Sequence, residues 1–328
     1  MSPSPEAVTH MEARKRLTVA TGLATRGVWA RLDEDNLYQS WLGLAGDALS
    51  IIMGGQTAAA QMTGPWLNRL LGPQNDDRPG AGGVIPSAFA GFDGAGRPLA
   101  GILMAPIWTA LRMVTAGRPI VQALVAGRAT LDAIAQTAVA DVGRAADSVA
   151  MTARPAVTGY IRVVEGGACS RCIVLAGNEY QTDKAFLRHP RCKCGMEPVT
   201  RQHRPRPASP DELVAQMSEE EKRKTFGQAG TKALNDGADL GQLVNARRGM
   251  ASASALGGRP VTTTEGTARG EFRRQEFRRL QQAGAIPRSQ SIRGFRPTVA
   301  RLMPEEIYRT ADNREHAVQL LRRNGYIA

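Results

Sequence analysis

A chain of 328 residues has room for one or two sizeable cores. Its make-up, 42% hydrophobic with only 5% aromatic residues, points to small-residue helical packing and away from a β-sandwich. The N-terminal stretch has no apolar signal segment, and no apolar run approaches the ~18 residues of a membrane span. The expectation is a chain made and kept in the cytoplasm, with no membrane partner. The formal net charge is +12, unevenly spread: residues 1–150 hold 12 basic and 12 acidic residues, 151–200 hold 7 and 4, and 201–328 hold 23 and 14. A basic surplus in the C-terminal half favours a polyanion, most often DNA. Only 6 of the 42 basic residues are Lys, so codon bias in a GC-rich genome is the competing source.

The fold class expected is mainly α, with a small α+β, Cys/His-rich insert of zinc type. Residues from about 11 to 71 read as helix, with Leu37, Trp41, Leu44, Ala45, Ala48 and Ile52 on one face. Gly54-Gly55 is expected to interrupt it, and a second helix to run from Thr57 to Leu71. Residues 72–98, with seven Gly and four Pro, read as a loop. Helix resumes over about 99–151, with Ile120, Leu124, Leu131, Ile134, Ala138 and Val142 as apolar positions and breaks at Pro106 and Pro119. Val157–Val164 is β-branched and reads as a strand. Helix starts are signalled at Ser209 and Ser218, each with Glu three residues on. Residues 249–270 read as a Gly/Ser/Thr-rich linker, Glu271–Gln282 as a basic helix, and a last helix opens at Asp312 and closes at Gly325. Three regions follow: a helical domain over 1–151, a Cys/His module over 152–200 and a basic helical region over 201–328.

All four cysteines lie in one short window: Cys169-x2-Cys172, then Cys192-x-Cys194, with His189 three residues before Cys192. Zinc takes four tetrahedral N/S ligands, and two such pairs can close around one ion. Either the four cysteines or a set with His189 replacing one of them would serve. Four protein ligands leave no place for a reacting water, which makes the site structural. Pro190 biases His189 towards extended backbone, and Arg188, Arg191 and Lys193 would offset thiolate charge. Disulfides, a C-x2-C redox pair or plain buried thiols are the alternatives, although reduced thiols are the norm in cytoplasm.

Two basic clusters are candidates for nucleic-acid contact. Arg273, Arg274, Arg278 and Arg279 lie on the helix 271–282, where Phe272, Phe277 and Leu280 could dock the other side. Arg247 and Arg248 form a compact turn. The plainer reading makes the first a solvated helix face and the second a helix C-terminus whose arginines complement the dipole. Catalytic sets are weak: there is no G-x-S-x-G, P-loop or H-E-x-x-H string, and no enzymatic activity is expected.

The string Cys169-x2-Cys172-x2-Leu175-x-Gly177, followed by Phe186-x2-His189-Pro190-x-Cys192-x-Cys194, resembles the motif of the MuF-like phage head-morphogenesis family. The likeness is to actinobacteriophage members, and extends to the strings around 87–99, 244–250 and 301–308. It implies a minor head protein of the virion, associated with portal and capsid proteins and assembled in the host cytoplasm. Charge, not the motif, assigns the neutral N-terminal helices to portal or capsid and the basic C-terminal half to packaged DNA. Competing functions are a nucleic-acid-binding zinc module outside the virion, and a zinc-dependent nucleic-acid enzyme or capsid-maturation protease.

Overall fold

The computed structural model describes residues 3–74, 82–164, 167–186, 188–192, 194–250 and 261–327. It is mainly helical with a small antiparallel sheet, as the composition requires. The described chain forms two compact units: residues 1–165 with 176–208, and residues 166–175 with 209–328.

The first unit holds helices α1 (Pro5–Trp29), α2 (Leu37–Gln61), α3 (Thr63–Leu71), α4 (Leu99–Ile102), α5 (Ala105–Thr115) and α6 (Ile120–Thr152). It also holds strands β1 (Gly159–Val163), β2 (Glu179–Tyr180) and β3 (Gly195–Val199). α1 begins at Pro5, earlier than the pattern suggests, because Ser4 caps it by accepting from the Ala7 N–H at 3.1 Å. α6 is the central element and packs against α1, α2 and α5. Its buried face is built from small residues, including Ala123, Ala135, Ala138 and Ala146, so neighbouring helices approach closely. The core they enclose contains Trp29, Trp41, Ile52, Leu99, Leu103, Ile107 and Leu131. Both indoles are satisfied: Trp41 Nε1 donates to the Leu103 carbonyl at 2.8 Å and Trp29 Nε1 to that of Leu124 at 3.2 Å.

Gly54 and Gly55 do not interrupt α2, which runs unbroken through both. The reason is packing. A Cβ on Gly55 would meet Thr21 Oγ1 of α1 at 2.5 Å and Val139 Cγ2 of α6 at 3.0 Å. The glycine is there for close approach, not as a breaker. The break falls instead at Met62, between α2 and α3. Pro106 sits in the first turn of α5 and Pro119 caps α6, both places where a missing N–H costs nothing.

The three strands are ordered β2-β1-β3, with Tyr160 opposite Tyr180 and Arg162 opposite Met196. β3 is an edge strand, which accommodates Pro198. Glu197 of β3, fully buried, accepts from the Ser4 N–H at 3.3 Å and faces His203 Nε2 at 3.0 Å.

The second unit holds α7 (Ser170–Ile173), α8 (Pro210–Ala215), α9 (Glu219–Asn235), α10 (Leu240–Ala246), α11 (Glu271–Gln282), α12 (Pro304–Thr310) and α13 (Arg314–Arg323). β4 (Thr262–Thr263) pairs antiparallel with β5 (Arg301–Leu302). Full capping boxes at Ser209 and Ser218 open α8 and α9. α13 is capped by Asn313, not Asp312: the Asn313 side chain accepts from the His316 N–H. Of the expected linker 249–270, residues 251–260 lie outside the described residues, and Thr262 and Thr263 form β4. Arg301 is buried and donates to the carbonyls of Asn324, at 2.8 Å, and Glu265, at 3.0 Å, while stacking over Tyr326.

Candidate metal centre

The Cys169–Cys172 pair is set by a single helical turn. Cys169 is the N-cap of α7, and its carbonyl accepts from the N–H groups of Cys172, at 2.9 Å, and Ile173, at 3.1 Å. Residues three apart in such a turn present side chains to one side. The second pair follows a tight turn in which the Cys192 N–H donates to the His189 carbonyl at 3.0 Å. Arg191 stands inside that turn at φ 62°, a left-handed conformation costing an ordinary L-residue about 1–3 kcal/mol. The turn is held there from α6. The Arg191 N–H donates to Thr137 Oγ1 at 3.0 Å and its guanidinium to the Ala129 carbonyl at 3.1 Å.

The ligand atoms fall into two overlapping groups, Cys169/Cys172/His189 and Cys172/Cys192/Cys194. Within each group all lie within 4.8 Å of one another, and Cys172 belongs to both. Cys172, Cys192 and Cys194 are buried, and Cys169 is exposed. Tetrahedral thiolates at a Zn–S distance of about 2.3 Å stand roughly 3.8 Å apart, so the three ligand atoms of each group are near that spacing and a fourth comes from the other group. The five residues named from the sequence make up these two groups, which could hold a metal ion.

Residues not named as site residues complete the surroundings. Arg162 is buried in β1, its Nη2 3.5 Å from the Cys194 sulfur and 3.9 Å from that of Cys192. Its guanidinium lies 4.3 Å over the Phe186 ring. Arg144 of α6 donates to the carbonyls of Cys192, at 3.0 Å, and Cys194, at 3.3 Å, and is paired with Asp141 at 2.5 Å. Asp141 also accepts from Arg188 at 2.6 Å. Positive charge is thus placed against the two sulfurs that would be anionic as ligands. Tyr160 packs on Phe186 and donates its hydroxyl to the Lys184 carbonyl. Burial pushes the Tyr160 phenol up to about 12, so it stays a donor. The overlooked signal was an arginine inside the apolar run Tyr160-Ile161-Arg162-Val163, where a charge needs a partner. Lys193 lies outside the described residues.

The candidate nucleic-acid residues sit apart from this centre in sequence, on α11 and after α10. Arg273 Nε donates to the Phe295 carbonyl at 2.7 Å and its Nη2 to that of Ile292. Arg247 binds the Phe226 carbonyl and Glu305. Arg274 and Arg278 share Glu271, Arg279 pairs with Glu276, and Arg248 donates to Asn245 Oδ1.

A family model described as VG15 protein matches residues 109–220, roughly a third of the chain. The family is one of phage and viral genes, and the match fits a phage protein. The matched stretch runs from within α5 into α9 and contains all five Cys/His residues. No curated protein and no solved structure matches the chain. Among the described residues, no helix is long and apolar enough to cross a membrane.

Proposed function

We propose that this chain is a minor head protein of a tailed bacteriophage, associated with portal and capsid proteins, and that it works as a structural component without a reaction of its own. One observation carries the reading. The stretch that matches a phage family also contains the Cys/His string resembling head-morphogenesis proteins, and the ligand atoms of that string fall into two groups that share Cys172.

Zinc suits this cluster best, because sulfur and imidazole donors in a compact tetrahedral set are its preferred surroundings. The four cysteines, or a set in which His189 replaces one of them, would hold it. A zinc ion with four protein ligands supplies a cross-link and offers no open position to a substrate. Cys172, common to both ligand groups, is the residue the site depends on most. Arg144 and Arg162 would hold Cys192 and Cys194 in place with or without the ion.

The test is peptide mass spectrometry on purified, nuclease-treated particles of the phage that carries this gene. Peptides of this chain at low copy relative to the major capsid protein support the proposal. Their absence from mature particles overturns it.

A further inference from the structure

The arginines singled out from the sequence are held by carboxylates, an amide oxygen or backbone carbonyls of the fold, whereas the segment following α11 is built the opposite way. From Phe277 to Pro304 the chain carries six arginines and no Asp or Glu. Arg278 and Arg279 pair with α11 carboxylates and Arg301 is buried on backbone carbonyls. The remaining three, Arg288, Arg293 and Arg296, are exposed, and none has a carboxylate within ion-pair distance among the described residues.

They stand on an anchored scaffold. Gln281 of α11 donates to the carbonyls of Pro287, Arg288 and Gln290 at 3.2, 3.3 and 3.4 Å. Arg273 takes the carbonyls of Ile292 and Phe295, and the Phe295 ring meets Phe277 edge-on at 5.1 Å. The segment therefore turns five of its carbonyls towards α11. Its exposed side is left with three guanidinium groups and the neutral polar side chains of Ser289, Gln290 and Ser291. A surface that hides acceptors and displays Arg, Ser and Gln has the donor set that grips phosphate oxygens. Arginine forks match that geometry. No large aromatic is exposed on the segment to stack a base, so contact would be with the backbone, independent of sequence.

We infer that residues 287–297 form a phosphate-contacting surface for duplex DNA, and that Arg288, Arg293 and Arg296 carry its affinity. The inference rests on the phage-head reading for where the DNA comes from, but not for its chemistry. The test is fluorescence anisotropy of the full chain with a labelled duplex of mixed sequence, titrated from 50 to 200 mM KCl. Each phosphate contact contributes about 0.9 to the log–log salt slope, so the triple variant R288Q/R293Q/R296Q should lower that slope by about 2.7. Over this fourfold salt range the wild type then loses roughly 40-fold more affinity than the variant. The triple variant R274Q/R278Q/R279Q removes as much charge from α11 and should lower the slope by less. Far-UV circular dichroism checks that both variants are folded. Equal effects of the two variants, or an unchanged slope in the first, would overturn the inference, as would a wild type that binds an acidic polypeptide in preference to DNA. The head assignment is read separately from particle composition: a chain absent from particles that still binds DNA through this segment refutes that assignment alone.

Discussion

Gly54 and Gly55 are neighbours in α2, and exchanging either for alanine should move stability in opposite directions. A helix-interior glycine is normally about 0.5–1 kcal/mol worse than alanine. At Gly54 an added Cβ meets nothing within 4 Å, so Gly54→Ala should recover that amount. At Gly55 the same Cβ would stand 2.5 Å from Thr21 Oγ1, 3.1 Å from Thr21 Cγ2 and 3.0 Å from Val139 Cγ2. Neither neighbour yields easily. Thr21 is buried and donates to the Leu17 carbonyl at 2.9 Å, and Val139 is a stiff β-branched side chain at 1% exposure. Overpacking of this kind costs about 1–3 kcal/mol, which less the propensity gain leaves a net loss of up to about 2.5 kcal/mol. For a unit of this size that is a fall of up to about 10 °C in Tm, against a rise of about 1–4 °C for Gly54→Ala. Differential scanning calorimetry of the full chain reads both. Thr21→Ala in the Gly55→Ala background should restore most of the loss, because it removes the nearest clashing atom. If both glycine variants raise Tm alike, α1, α2 and α6 do not meet at Gly55 and the packing argument fails.

Further outcomes follow from the site and from the buried charges. Elemental analysis of the purified chain should give about one zinc per chain. Cys172→Ser should abolish binding, whereas His189→Ala should weaken it less if Cys194 completes the set; retention of full zinc by Cys172→Ser would refute the shared-ligand geometry. Asp147, 1% exposed, is paired with Arg14 and faces His10 at 3.3 Å, so Asp147→Asn should cost about 3–5 kcal/mol in urea unfolding by stranding Arg14. Acid should destabilise the same cluster in two stages. Burial holds His10 below its ordinary 6.5 despite Asp147, so its stabilising neutral form is lost as pH falls below that value. Burial opposes ionisation of Asp147, but Arg14 and His10 together outweigh it and hold the carboxyl below 3.8, so its contribution is lost only at lower pH. A pH–stability profile of His10→Gln should lack the first stage and keep the second.

The parts of this architecture that depend on local pattern were legible in the sequence. The capping boxes at Ser209 and Ser218 are backbone chemistry three residues long, and they appear as read. The Cys/His grouping was legible because cysteines and histidine at that spacing are a recognisable ligand pattern, and all five residues fall in the two groups that could hold a metal ion. What failed depends on neighbours distant in the chain. Gly55 reads as a breaker until Thr21 and Val139 are seen against it. Asp312 and Asn313 are equally good caps on paper, and the choice is made by which side chain reaches the His316 N–H. Arg162 was passed over in an apolar strand because nothing local says that two cysteines some 30 residues on will lie beside it.

The arginines link these observations. With 5% aromatics and many alanines, the chain has few large side chains to fill irregular space, and arginine takes part of that role through its stem and its five donors. Arg301 gathers the carbonyls of Asn324 and Glu265, Arg144 those of Cys192 and Cys194, and Arg273 those of Ile292 and Phe295. Each satisfies backbone acceptors that an irregular segment would otherwise bury unpaired. A net charge of +12 therefore misstates what is offered to a partner, because much of the positive charge is spent inside the fold. The useful quantity is the charge left exposed without a carboxylate beside it, and by that measure the basic helix α11 is mainly a scaffold. Its Arg273 and Gln281 hold the backbone of the segment that carries the exposed arginines after it.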